Sequence, residues 1–560
     1  MRSIRPLMPA GIPLRGISVL LMMAWAGGAS AVDLDTGIPK LKLRWDNTLR
    51  YNLGARAERP DGRILNNPSY DESDGKFGRG DVVTNRLDLL TEIDLNYRSL
   101  AGARVSAAAW YDRAYEDRSV RSLVPGFSTS YTDDRYNSRV SRYVNGPSGE
   151  ILDAFVWANL KLGVVPVNIK VGRQTNYFGE GLLIAAHAVS YSQSPLDGVK
   201  AVTSPGIETK EVFLPESQVF VKAQVSQDLA LAGQYFFDWH ESRLPYGGTY
   251  FGPADPFFEG PDRLPVGPGA SLAHAPSIKP GKHGNWGVSA RLNVEAIESS
   301  LGAYYRRFDD YNPWFGPNLT NFVAIPGVGT VPTAYRLVYP TKVELMGLSA
   351  ARVIGPVSVA TDISVRRGGA LNTDAVSPLD QQGPRGNTLH VVANGVYLLP
   401  SSKFWDTGTF ITEIAYSRLL KVTSHRELYK GVGEASCLAP GGRPGDKSDG
   451  CSSKNYAAVA MLFSPQYLQV LPSWDLELPM SLNYGLSGNA ASAGGGNENS
   501  VSWSVGAKMT FAQRYEFGLQ YADARAPAKY DPSGSTAIGG NGSFGTSDRG
   551  WLAFTFKAGF

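Results

Sequence analysis

Cysteine is almost absent: Cys437 and Cys451 are the pair in 560 residues. They are not spaced as CxxC, so a thiol redox motif finds no support. They lie in a Gly/Pro/Asp-rich stretch that includes Ala439-Pro440-Gly441-Gly442 and Asp449-Gly450. In an oxidising compartment they are expected to pair and clip one loop. Long apolar runs are missing too. Beyond Ala31 no stretch reaches the ~20 apolar residues that a transmembrane helix needs, so a helical membrane protein is excluded. Excess charge is also lacking. The formal net charge of +3 equals the three arginines Arg2, Arg5 and Arg15, because residues 1–31 carry no other ionisable side chain. A chain without that segment sits near zero, which gives no footing to nucleic-acid binding.

The first residues have the build of a secretory leader. The basic start is followed by a short apolar stretch, Ile17 to Ala26, and by the small residues Ala29-Ser30-Ala31. Cleavage near Ala31 is expected to leave a chain beginning at Val32. No cysteine follows the small residues, so a lipid anchor at that point is excluded.

What remains is rich in Gly, Tyr, Phe and Trp and patterned with period two. Leu41, Leu43, Trp45, Leu49, Tyr51 and Leu53 share one face, and Lys42, Arg44, Asp46, Thr48, Arg50 and Asn52 share the other. The same alternation returns at Leu87–Tyr97, Trp286–Val294, Val357–Val365, Leu476–Tyr484 and Trp503–Phe511. Trp, Tyr and Phe recur near the ends of the apolar faces, as in interfacial girdles. Runs of this length match tilted strands crossing a bilayer, about 9–11 residues each. Tight connectors, such as Gly355-Pro356 and Ala512-Gln513-Arg514, alternate with long polar ones at 57–82, 241–284, 367–386, 422–454 and 525–548. Counting back by two from Phe560 gives Ala558, Phe556, Phe554 and Leu552. An apolar alternating end on a C-terminal Phe resembles the signal read by the outer-membrane barrel-assembly machinery, which makes that machinery an expected partner and Phe560 its assembly signal. The pattern therefore predicts an all-β fold, a transmembrane antiparallel barrel of about 16–18 strands in the outer membrane of a Gram-negative cell. A ring of that size leaves an interior wide enough for a channel.

Residues 178–215 break the alternation and are less polar than an exposed loop, so they are expected to fold into the lumen. The wording of this region is familiar: Val171-Gly172-Arg173-Gln174, Gly179-Glu180-Gly181, Ser194-Pro195-Leu196-Asp197, Pro205-Gly206-Ile207-Glu208, Lys210-Glu211 and Leu214-Pro215. With Tyr111-Asp112 and Gln234 to Trp239, they resemble the proteobacterial family catalogued as domain of unknown function 1302. The resemblance spans nearly all of the chain after the leader and departs from the usual pattern at Tyr177-Phe178, where a Trp is expected before Gly-Glu. It implies an outer-membrane barrel, often encoded near genes for degrading steroids, hydrocarbons and other apolar compounds, with no catalytic chemistry attached.

The candidate lumen residues are Arg173, Gln174, Glu180, Asp197, Lys210, Glu211, Trp239 and His240. Charges at such positions either narrow a pore or pair with one another and pin the inserted segment. The six histidines form no HExxH, and no GxSxG elbow stands beside them, so no enzyme, cofactor or metal site is predicted. His274 and His283 are read as solvated, and His390, between Leu389 and Val391, is placed on the lumen face. The glycine-rich pieces 493–497 and 539–542 read as flexible loop tips. The aromatic and Pro-rich stretch 246–268 could gather an apolar ligand or close over the mouth. With the family resemblance, which implies the apolar cargo, these readings lead to the expectation of a channel taking up hydrophobic or amphipathic small molecules, in contact with outer-membrane lipid. A general polar pore and a non-transporting surface protein are the alternatives.

Overall fold

The computed structural model describes residues 32–560; the expected leader lies outside the described residues. Eighteen antiparallel strands close into one ring. In chain order they are β1 (Leu41–Arg56), β2 (Val82–Tyr97), β3 (Ala101–Asp112), β4 (Ser148–Leu162), β5 (Val165–Gln174) and β6 (Glu216–Gln224). Next come β7 (Leu229–Phe236), β8 (Trp286–Val294), β9 (Ser299–Phe308), β10 (Val343–Ile354), β11 (Val357–Ala370) and β12 (Arg385–Leu398). The last six are β13 (Thr407–Ser424), β14 (Asn455–Leu471), β15 (Trp474–Glu477 continued by Met480–Ser487), β16 (Val501–Phe511), β17 (Tyr515–Arg525) and β18 (Trp551–Gly559). Each strand pairs with its sequence neighbour, and β18 pairs with β1 from Thr48↔Gly559 to Arg56↔Trp551, which closes the ring.

The ring is inverted relative to a soluble protein. Val288, Leu348, Ile363 and Leu519 face outward and are exposed, while Arg50, Arg86, Arg306, Asp362 and Glu413 face inward and are buried. Period-two alternation forces this split, since one register step would exchange every pair of faces. Outward aromatics gather near both rims. Trp286–Tyr305 and Trp503–Tyr521, each with ring centroids 5.3 Å apart, lie toward one rim. Trp405–Phe463 at 5.7 Å and Trp474–Phe511 at 4.9 Å lie toward the other. Such paired girdles place indole and phenol rings at the two lipid headgroup levels.

Connections alternate strictly in length: eight span two to eight residues on one rim, and nine span 13 to 49 residues on the other. The long rim carries two features that the alternation did not announce. A small sheet forms from Arg263–Gly267, Ala270–His274, Asn318–Ile325 and Gly329–Arg336. Beneath it, Phe77, Tyr115, Tyr131, Tyr136, Tyr246 and Tyr250 pack into a closed aromatic core over the mouth. Cys437 and Cys451 are at bonding distance, with Cα atoms 5.6 Å apart, inside the loop between β13 and β14. On the short rim Val32–Asp35 pairs with Lys42–Trp45 of β1, below the point where β18 leaves that edge.

Candidate solute pathway

The connection between β5 and β6, residues 175–215, touches inward-facing side chains on opposite arcs of the ring. Its first half meets β8 to β13. Asp362 on β11 accepts backbone N–H bonds from Glu180 (2.9 Å), Gly181 (3.2 Å) and Val189 (3.1 Å). Glu413 on β13 accepts from Leu182 (2.6 Å), Leu183 (2.9 Å) and Ile184. Two carboxylates thus gather six amides that have no ladder partner, which is how irregular backbone survives in a barrel interior. Arg306 and Arg366 complete the arrangement by donating to carbonyls at 186–192, for example Arg306 to Tyr191 at 2.6 Å and Arg366 to Ala186 at 2.6 Å. Gly179 explains its own place: its φ is +93°, and a Cβ there would stand 2.6 Å from the Asp362 carboxylate.

His187 is fixed by a chain of hydrogen bonds with one consistent neutral tautomer. Its Nε2–H donates to the Gly495 carbonyl at 2.8 Å, so its Nδ1 accepts from His390 Nδ1–H at 2.9 Å. His390 Nε2 then accepts from the Thr388 hydroxyl at 2.8 Å. Gly495, on a stretch read from sequence as a free tip, is thereby an anchor.

The second half of the connection meets the opposite arc through ion pairs. Arg50 on β1 holds Glu211 at 2.9 Å, with both side chains at most 2% exposed. Lys210 bonds Glu92 on β2 at 2.5 Å. Asp197 caps the helix Gly198–Thr203 and pairs with Arg243 at 2.9 Å, and Lys200 pairs with Glu150 on β4 at 2.8 Å. Each buried charge has its counterpart, the condition under which burial of ions is tolerated.

Of the residues expected at the lumen, Asp197, Lys210 and Glu211 come together on this arc, and Glu180 lies across from them in an ion pair with Arg291. Gln174 exchanges amide bonds with Gln218 at the foot of the connection. Arg173 differs. It pairs in register with Ala154 and Ser217 and shares the parity of exposed Val171, so it faces outward, its Nε donating to the Pro215 carbonyl at 3.0 Å. Trp239 is packed against Tyr311 and Tyr339 in the outer loops. His240 lies beside Glu216 at 3.0 Å, and that carboxylate holds its imidazolium above the usual range. His274 stacks on Tyr335 and bonds the Pro261 carbonyl at 2.7 Å instead of standing in solvent.

Asp362, Glu413, Arg306 and Arg366 are the residues that sequence reasoning did not single out. Asp362 and Arg366 stand on the polar face of an alternating strand, which is the signal they offered; nothing local revealed that backbone amides would be their partners.

Two chambers flank this connection. The outer one, about 930 Å³, lies under the long loops and is lined by Tyr70, Phe257, Phe315, Asn372 and the glycines at 494–496. The inner one, about 650 Å³, has two unlike sides. Leu183, Val202, Ile207 and Phe251 form one, and Ser481, Asn483, Ser502, Ser504 and Gln520 of β15 to β17 form the other. Asn483, Ser502, Ala524 and Thr546 line both chambers.

Above the ring, Asp255 accepts from the Glu72 and Ser73 N–H groups at 2.8 Å each, and Glu72 accepts from Ser130 N–H at 2.6 Å. Burial and then the neighbouring Asp255 push the Glu72 carboxyl up; burial, with Asp71 nearby, pushes Asp255 up to about 7. The two carboxyls hold protons where exposed ones would have lost them.

A closed ring with an apolar exterior, a charged interior and alternating short and long connections defines a transmembrane β-barrel. Within that class the chain belongs to the family described as "Protein of unknown function (DUF1302)", whose profile matches residues 12–560. No curated protein matches. Solved barrels that are similar include Acinetobacter baumannii OccAB2, with 9% identity, 92% of this chain and 98% of that chain covered, and a TM-score of 0.42. Pseudomonas aeruginosa OpdK with vanillate is 9% identical with TM-score 0.39, covering 92% and 98%. A BenF-like porin from Pseudomonas fluorescens Pf-5 is 8% identical with TM-score 0.39, covering 92% and 98%.

Proposed function

We propose that the protein is an outer-membrane channel through which hydrophobic or amphipathic small molecules enter the cell. The observation that carries this reading is the inner chamber, apolar on the side of the 175–215 connection and hydroxyl- and amide-lined on the strand side. Such a surface suits a solute with an apolar body and few hydrogen-bonding groups. Residues 178–215 act as the constriction, with Glu180, Asp197, Lys210 and Glu211 locking it to the wall. The outer chamber, with Phe257 and Phe315 at its edge, collects the solute first. Residues 1–31 direct export, the barrel-assembly machinery inserts the chain by way of its last strand, and outer-membrane lipid covers the exterior.

The test is uptake by wild-type and deletion cells of a steroid, a long-chain fatty acid, an aromatic acid and a sugar. Loss confined to the apolar solutes supports the reading. Equal loss of the sugar makes the protein a general pore, and no loss of any solute removes the transport role.

A further inference from the structure

Each charge around the two chambers has an ion-pair partner. Six charged side chains line them: Asp374, Lys430, Asp449 and Arg525 in the outer chamber, Asp523 and Arg549 in the inner. Lys430 pairs with Asp374 at 2.9 Å, Asp449 with Lys529 at 2.5 Å, and Arg525 with Asp523 at 2.9 Å. Arg549 is ion-paired with Asp74 at 3.5 Å and donates through Nη1 to the carbonyls of Tyr250 and Gly252, while its Nη2 makes no hydrogen bond. Three cations and three anions leave the lining neutral overall. The polar groups that meet a solute are hydroxyls and amides: Asn483, Ser502 and Gln520, with Ser481 and Ser504 bonded to each other at 2.7 Å.

On the channel reading above, we infer that the cargo is an uncharged amphiphile, an apolar carbon skeleton carrying a few hydroxyl or carbonyl oxygens, and that carboxylates are discriminated against. A carboxylate entering the inner chamber sheds water and meets one cation, Arg549, whose charge is already balanced by Asp74; drawing it away strands that buried anion. A hydroxyl or ketone oxygen instead exchanges its water for Ser502, Asn483 or Gln520 at little net change. A sugar fails for the opposite reason. Its hydroxyls point to every side, and Leu183, Val202, Ile207 and Phe251 offer them nothing. Elsewhere in the ring, Arg306, Arg366, Asp362 and Glu413 are hydrogen-bonded to the 175–215 connection.

Interruption of ion current gives the test, because it does not depend on how fast an apolar solute crosses lipid. The purified full-length protein is reconstituted in a planar bilayer at 0.15 M salt, a strength that leaves buried charges unscreened. A neutral polycyclic hydroxyketone and a carboxylic acid of the same ring count are added on the loop side. The neutral compound is expected to half-block the current at a concentration at least about tenfold below the acid, the separation given by one lost contact. Ser502→Lys places an unpaired cation where both chambers meet and is expected to move the acid's half-block down while weakening the neutral compound. Equal or better block by the acid in the wild-type protein overturns the neutral-cargo inference and leaves the channel standing. A protein that never conducts overturns the channel and this inference together.

Discussion

Glu413 concentrates three backbone amides on one carboxylate, and Asp362 does the same one strand pair away. Hydrogen bonds to a charged acceptor contribute about 1.5–3 kcal/mol each, and amides left without an acceptor cost their desolvation as well. Glu413→Ala is therefore expected to free residues 182–184 while the ring stays closed. Single-channel recordings should show a larger, noisier conductance, whereas an unchanged trace would mean that this carboxylate does not hold the segment. Glu211→Gln on the opposite arc removes one of the two carboxylates beside the buried Arg50 guanidinium and leaves it Asp88 at 3.9 Å, a loss of about 1.5–3 kcal/mol that a lowered thermal midpoint of the inserted segment would report. At this scale the sequence was half legible. Asp197, Lys210 and Glu211 stood out because charges in a poorly polar, non-alternating stretch need partners. The partners themselves, Arg50, Glu92 and Arg243, are set by ring closure and long loops and carry no local mark. Arg173 misled because it precedes the break in alternation, where parity still assigns it to the outer face with Val171.

Among the elements, the strands were legible because period two is all a barrel strand requires, and the long connectors were legible by their Gly, Pro and Asp content. The cap over the mouth was legible only as one of two readings of 246–268, since its core of Tyr131, Tyr136, Tyr246 and Tyr250 assembles from separate loops with no shared period. This cap should respond to pH. Glu72 and Asp255 bind protons more tightly folded than unfolded, so the folded cap holds more protons above the ordinary carboxylate range near pH 4. Cap stability is accordingly highest at acidic pH and falls as pH rises from about 4 toward 7. Limited proteolysis of the 237–285 loop at pH 5 and pH 8 measures this, and Asp255→Asn should flatten the difference. The clipped loop is separable from it. Replacing Cys437 and Cys451 by Ser removes about 3 kcal/mol of loop-closure restraint. Protease nicking should rise within 425–454 alone, with the melting of the ring unmoved.

For the whole molecule, the ring depends on one seam, where β18 lies between β17 and β1. Phe560 finishes it by exchanging backbone hydrogen bonds with Asn47, N–H to carbonyl at 2.9 Å and 2.7 Å. Removing residues 551–560 should yield no smaller ring, because β17 would have to meet β1 with a changed tilt and stagger. The folded, heat-modifiable band on a gel should vanish; a surviving band of altered mobility would show that a seventeen-strand ring can close. The seam also imposes a timetable. Leu41–Arg56 is made first among the barrel strands, and one of its edges stays bare until the last strand arrives, with only Val32–Asp35 able to shelter its lower end in the meantime. A bare apolar edge is a template for any other chain in the same state. Chains that have their first strand but not their last are therefore expected to join one another through that edge, so the yield of closed rings on refolding should fall as chain concentration rises.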